Sequence, residues 1–160
     1  MSTTSRSPAR APTTPWGADP LSQAVVLIPV FIQVALTFAL LFWMGKERQG
    51  AIARGEARID DIALGQSAWP QRATQIARAF HNQLEIPVLF YVLVALAMVT
   101  QKVDLLFVVM SWVFVLARLA HAWVHVTSNH VMLRFKAYGA GLFVLIAMWA
   151  IFVIRIVAGF

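Results

Sequence analysis

The 160-residue chain contains no cysteine. That excludes disulfides, thiolate metal sites and cysteine nucleophiles, and it leaves the redox compartment open. Charge is scarce as well: Asp, Glu, Lys and Arg make up 12% of the residues, against about 25% in an ordinary soluble domain. Apolar residues take their place, at 60% of the chain with a mean hydropathy of +0.73. The formal net charge is +6. Such an excess can mark nucleic-acid binding, but here the basic residues cluster between apolar segments. That placement suits loop cations that set membrane topology and contact anionic lipid, so no nucleic acid is expected.

Apolar blocks decide the architecture, because a bilayer core of about 30 Å needs about 20 helical residues. Residues 1–20 are rich in Ser, Thr, Pro, Ala and Arg and are expected to form a disordered tail. An organelle transit peptide is the competing reading, opposed by the four prolines in this stretch. Leu21 to Met44 carries no charge and reads as a first span, with Pro29 near its start. A signal peptide would have a shorter apolar core and a small-residue cleavage site; here Lys46-Glu47-Arg48 follows instead. Residues 45–75 are a polar stretch interrupted by four glycines and Pro70, expected to be a loop with a short helix at most. Further spans follow over about 76–100, 105–126 and 137–156. Pro87 is expected to kink the second.

These segments predict an all-α, integral membrane four-helix bundle, since only helices and closed barrels satisfy every backbone group in lipid. Both termini then lie on one side. The first and third connections hold Lys46, Arg48, Arg54, Arg58, Arg72, Arg134 and Lys136, so the positive-inside rule puts them in the cytoplasm and the termini outside it.

Two polar stripes break the apolar pattern. On a continuous helix Arg78, Asn82 and Glu85 would share one face, and so would Arg118, His121 and His125. Glu85 and Arg118 fall at similar depth, and an ion pair between them, or across a subunit boundary, is the economical way to bury both charges. Such a pair could serve as helix glue alone. Two stripes opening together favour a binding site. His121 and His125 have the spacing of a metal pair, but no acidic partner accompanies them, and no metal is expected. Trp43, Trp112, Trp123, Trp149, Tyr91 and Tyr138 read as interface anchors or packing. Ala137-Tyr138-Gly139-Ala140-Gly141 offers small residues for close helix approach.

Arg78-Ala79-x-x-Asn82-x-x-Glu85, opening the second of four helices and followed by Pro87, resembles the signature of the MAPEG family, the membrane-associated proteins of eicosanoid and glutathione metabolism. Ala117-Arg118-Leu119-x-His121-x-x-x-His125 is similar to that family's third-helix pattern. The resemblance spans about Leu21 to Ile156. It implies a homotrimer in a membrane, expected to be a bacterial inner membrane, with glutathione as co-substrate bound between neighbours near the cytoplasmic face. Arg78, Asn82, Glu85, Arg118 and His121 would form that site. The family's thiolate-stabilising arginine corresponds to His130, with Arg134 one turn on, and these two would be the catalytic residues. Ala77 stands where microsomal transferases often have arginine, and His125 where tyrosine is usual. Two readings follow: a glutathione-dependent transferase or peroxidase acting on lipophilic electrophiles, or a non-catalytic membrane scaffold or lipid-binding protein that has lost thiolate activation.

Overall fold

The computed structural model describes residues 20–63 and 69–159. The tail expected over 1–20 therefore lies outside the described residues, except for Pro20, which opens the first helix. Among the described residues there are six helices: α1 (Pro20–Ala53), α2 (Ile59–Ala63), α3 (Gln71–His81), α4 (Ile86–Val99), α5 (Leu105–Val126) and α6 (Val131–Ala158). Four candidate spans are long and apolar enough to cross a membrane: α1, α3 with α4, α5, and α6. No strand is found among the described residues.

The helices overrun the apolar runs that signal them. α1 has 34 residues, about 51 Å at 1.5 Å per residue, well beyond a hydrocarbon core of about 30 Å. Gly45 and Gly50, read from sequence as breaks, lie inside it. A helical glycine costs only about 1 kcal/mol, which neighbouring helix formers offset. The helix ends at Gly55 instead, whose φ of 70° is available to glycine at little cost. The Gly55 N–H donates to the Ile52 carbonyl at 2.9 Å and the Glu56 N–H to that of Ala51 at 2.9 Å, closing a Schellman cap. α6 likewise begins at Val131, before the apolar run that starts at Ala137. Hydropathy marks the membrane boundary, whereas propensity and caps mark the helix boundary.

The second span is broken where a kink was expected. α3 stops at His81 and α4 starts at Ile86. Pro87 has no N–H to give the residue four back, and its ring would clash with that carbonyl. The chain therefore leaves the helix over residues 82–85 and restarts with Pro87 in the first turn, where a missing N–H is harmless. Arg78, Asn82 and Glu85 consequently do not share one helical face.

Antiparallel packing is fixed at both ends. At one end, Arg72 at the start of α3 donates from Nη1 to the Val126 carbonyl at the end of α5, at 2.6 Å. At the other, Asp104 caps α5 by accepting from the Phe107 N–H at 2.8 Å, and its second oxygen accepts from Arg155 Nη2 at 2.6 Å. The core lies in two buried clusters. The larger joins α4, α5 and α6 around Phe90, Leu93, Phe114, Leu145 and Met148. The smaller holds Leu40, Ile76, Ala79, Ala122 and Val126 near the α1–α3 connection. Gly141 is buried against α5, where an added Cβ would sit 3.6 Å from that of Ala117. Its small size lets α6 pack closely on α5.

Candidate functional site

A polar layer crosses the bundle between the two apolar clusters. Gln33, Gln83, Arg118, His121 and His125 are all buried. Buried polar groups in an apolar span are costly unless paired, so each bond they make bears on the fold. Gln33 Nε2 donates to Gln83 Oε1 at 2.9 Å, joining α1 to the break in the second span.

That break exposes main-chain acceptors, because residues 82–85 no longer receive the helical ladder. Arg118 answers one of them. Its Nη2 donates to the Asn82 carbonyl at 2.6 Å, and its guanidinium carbon stands 5.5 Å from the centre of the Tyr138 ring. The residue has no solvent exposure, yet its Nε and Nη1 have no hydrogen-bond partner. No Glu85–Arg118 ion pair forms within the chain: among the described residues the ion pairs are Arg54–Glu56 and Arg155–Asp104. Leaving the helix turns Glu85 outward, where it is exposed. Its carboxylate still acts electrostatically on Arg118 and Tyr138.

Asn82 links the break to both histidines. Its Nδ2 lies 3.4 Å from His121 Nε2 and 3.3 Å from His125 Nδ1. His121 Nδ1 lies 3.0 Å from the Arg134 carbonyl. A carbonyl only accepts, so this nitrogen carries the proton and Nε2 of the neutral ring is free to accept from Asn82. The His121 ring also packs on His125 at 5.6 Å and on Tyr138 at 5.5 Å. No three His, Asp or Glu side chains converge as a metal site among the described residues.

The remaining sequence-predicted residues stand apart from this knot. Arg78 is exposed on α3, opposite the face that buries Ala73, Ile76 and Ala79; it is near enough to act electrostatically on His125. His130 is exposed and caps α6, its Nδ1 accepting from the Leu133 N–H at 3.4 Å. Arg134 directs Nη1 to Asn129 Oδ1 at 2.7 Å. The structure thus brings Asn82, Arg118 and His121 into contact and leaves Arg78, Glu85, His130 and the Arg134 side chain at the margin.

Several contributors escape sequence reading. Tyr138, expected as an interface anchor or packing, lines the layer beside Arg118 and His121. Gln75 Nε2 donates to the His125 carbonyl at 2.7 Å, covering an acceptor at the end of α5 as Arg72 covers its neighbour. Gln33 is signalled only by being an amide within a charge-free run.

Among known proteins, no curated protein and no solved structure matches the chain. A family model does, over residues 26–154, and its description is MAPEG family. Those residues take in the second and third candidate spans, most of the first and fourth, and the whole polar layer. By that match and its four apolar helices the chain is a multi-pass membrane protein belonging to the MAPEG family.

Proposed function

We propose that the polar layer is part of a glutathione site completed between subunits of a homotrimer. On this reading the protein is a glutathione-dependent transferase or peroxidase for lipophilic electrophiles that partition into the membrane. The observation that carries the proposal is Arg118, a fully buried guanidinium whose Nε and Nη1 have no partner. A buried cation needs an anion, and glutathione brings two carboxylates. Exposed Arg78 and Glu85 supply a further cation and a carboxylate for the remaining carboxylate and the ammonium. Asn82, held by both histidines, shapes the wall with His121.

Glutathione supplies the thiol, and this chain would contribute the positive charge that favours its thiolate. Arg134 or His130, both near the α5–α6 connection, is proposed for that role; to act as a cation His130 has to give up its cap to Leu133, because both ring nitrogens then donate. The basic connections support a site on the cytoplasmic side, of a bacterial inner membrane in the setting proposed here, with the termini opposite.

Calorimetric titration of detergent-solubilised protein tests binding directly: glutathione is expected to bind, and more weakly to Glu85→Gln. Purified protein is also expected to conjugate an electrophilic aromatic halide, at a rate depressed in Arg134→Ala. Unchanged turnover in the Arg134→Ala, His130→Ala double variant defeats the assigned roles. One observation favours a second reading, that of a non-catalytic scaffold or lipid-binding protein: Asn82, Arg118 and His121 already bond to one another or to main chain. A thermal midpoint indifferent to millimolar glutathione identifies that case.

A further inference from the structure

Away from the polar layer's free guanidinium edge, α1 and α5 enclose an apolar groove of about 430 Å³, with Leu36, Ala39, Trp43, Ala120, Trp123 and Val126 among its lining. It exists because Ala39 and Ala120 are both exposed and lack the bulk to fill the space between the helices, while Trp43 and Trp123 wall it. From Leu36 to Trp43 it rises about 10 Å along α1, roughly a third of the hydrocarbon thickness.

Its upper end is marked by a cation. Arg72 stacks on Trp43, its guanidinium carbon 5.3 Å from the ring centre, and donates from Nη1 to the Val126 carbonyl at 2.6 Å. Trp43 and Val126 both line the groove, and each is followed by the polar residues of a connection. The cation therefore stands where the helices leave the hydrocarbon, directly above an apolar slot. Glu47, accepting from Trp43 Nε1 at 3.0 Å, shares this rim and disfavours a free, highly charged anion. A singly charged phosphodiester tethered to an acyl chain meets both constraints.

We propose that this groove is a phospholipid site, with one acyl chain between α1 and α5 and the phosphate on Arg72. The guanidinium at the mouth of this otherwise apolar slot favours a phosphate-bearing chain over an apolar helix from a second copy. The site uses neither Arg118 nor Glu85, so it stands or falls separately from glutathione binding.

Native mass spectrometry and thermal unfolding of detergent-purified protein test it with three probes. Dioleoylphosphatidylglycerol is expected to stay attached and raise the thermal midpoint. Dioleoylglycerol, which lacks the phosphate, is expected to bind about fivefold more weakly, the effect of one basic residue against an anionic lipid. Inorganic phosphate alone should not bind. Ala39→Leu with Ala120→Leu fills the groove from exposed positions without disturbing Arg72, and it should abolish retention. Arg72→Lys should weaken the phospholipid but not dioleoylglycerol. Equal retention by the filled-groove variant, or equal affinity for the two lipids, overturns the proposal. So does a disulfide between copies formed by Ala120→Cys in this otherwise cysteine-free chain, which would make the groove a subunit interface.

Discussion

Replacing Arg118 by methionine separates the two effects that a buried, half-satisfied cation has. The wild-type guanidinium makes one hydrogen bond, to the Asn82 carbonyl at 2.6 Å, and leaves Nε and Nη1 without partners. Losing that bond orphans the carbonyl at the helix break, which costs about 1–3 kcal/mol. In the other direction, burying a charge with no carboxylate in contact carries a penalty of several kcal/mol, which methionine removes. Arg118→Met is therefore expected to leave stability within about 2 kcal/mol of wild type, or to raise it. Glutathione affinity should respond quite differently. Two charge-assisted bonds at about 1.5–3 kcal/mol each amount to about 3–6 kcal/mol. At about 1.4 kcal/mol per tenfold, that is a loss of at least about 100-fold. Thermal unfolding and calorimetric titration on the same detergent preparation measure both quantities. The reasoning is refuted if the variant loses more than about 3 kcal/mol of stability yet binds glutathione as wild type does, because Arg118 would then be helix glue.

Three further outcomes follow from the same geometry. The Arg155 guanidinium holds the Asp104 carboxyl below its usual range, with the Phe107 N–H adding to the effect. A depressed carboxylate stabilises fully above its unfolded value of about 3.9 and loses that contribution as pH falls through its lower folded value. Asp104→Asn, which still caps the helix, should flatten the acid limb of a stability-against-pH curve below about pH 4. Asp104→Ala should additionally cost about 0.5–2 kcal/mol at neutral pH, read by thermal unfolding. Gln33→Leu alone should destabilise by about 1–3 kcal/mol because it strands buried Gln83, whereas Gln33→Leu with Gln83→Leu should recover most of that loss in a double-mutant cycle. Gly141→Ala should be tolerated, since its Cβ meets Ala117 and Arg118 at ordinary contact distances of 3.6 and 3.7 Å, while Gly141→Leu should separate α5 from α6 and lower the thermal midpoint.

Much of this site was visible along the chain as cost. An arginine and two histidines inside Leu105–Val126, and an asparagine beside Pro87, have no place on a lipid-facing surface, so their convergence was legible. Their partners were not. The expected Glu85–Arg118 pair assumed an unbroken helix; the break around Pro87 turns Glu85 outward and offers the arginine a main-chain carbonyl instead. Main-chain acceptors have no sequence signature, because every residue carries one. Tyr138 and Gln33 were obscured for a related reason: aromatic and amide side chains serve equally well at an interface, in a core or in a network, and only their neighbours decide which.

Sequence alone determined the class of the molecule and the number of its spans, since hydrocarbon thickness sets a length and an apolar composition that can be counted residue by residue. It also marked a place for the second span to yield, because proline removes a donor, although α1 runs unbroken past Pro29. Tertiary structure decided what fills that gap. Arg118 on α5 meets the carbonyl that the break frees, Gln33 on α1 meets Gln83, and Asn82 spans two histidines. Such pairings depend on how four helices rotate and stack against one another. That choice belongs to packing across the bundle and to no single stretch of chain.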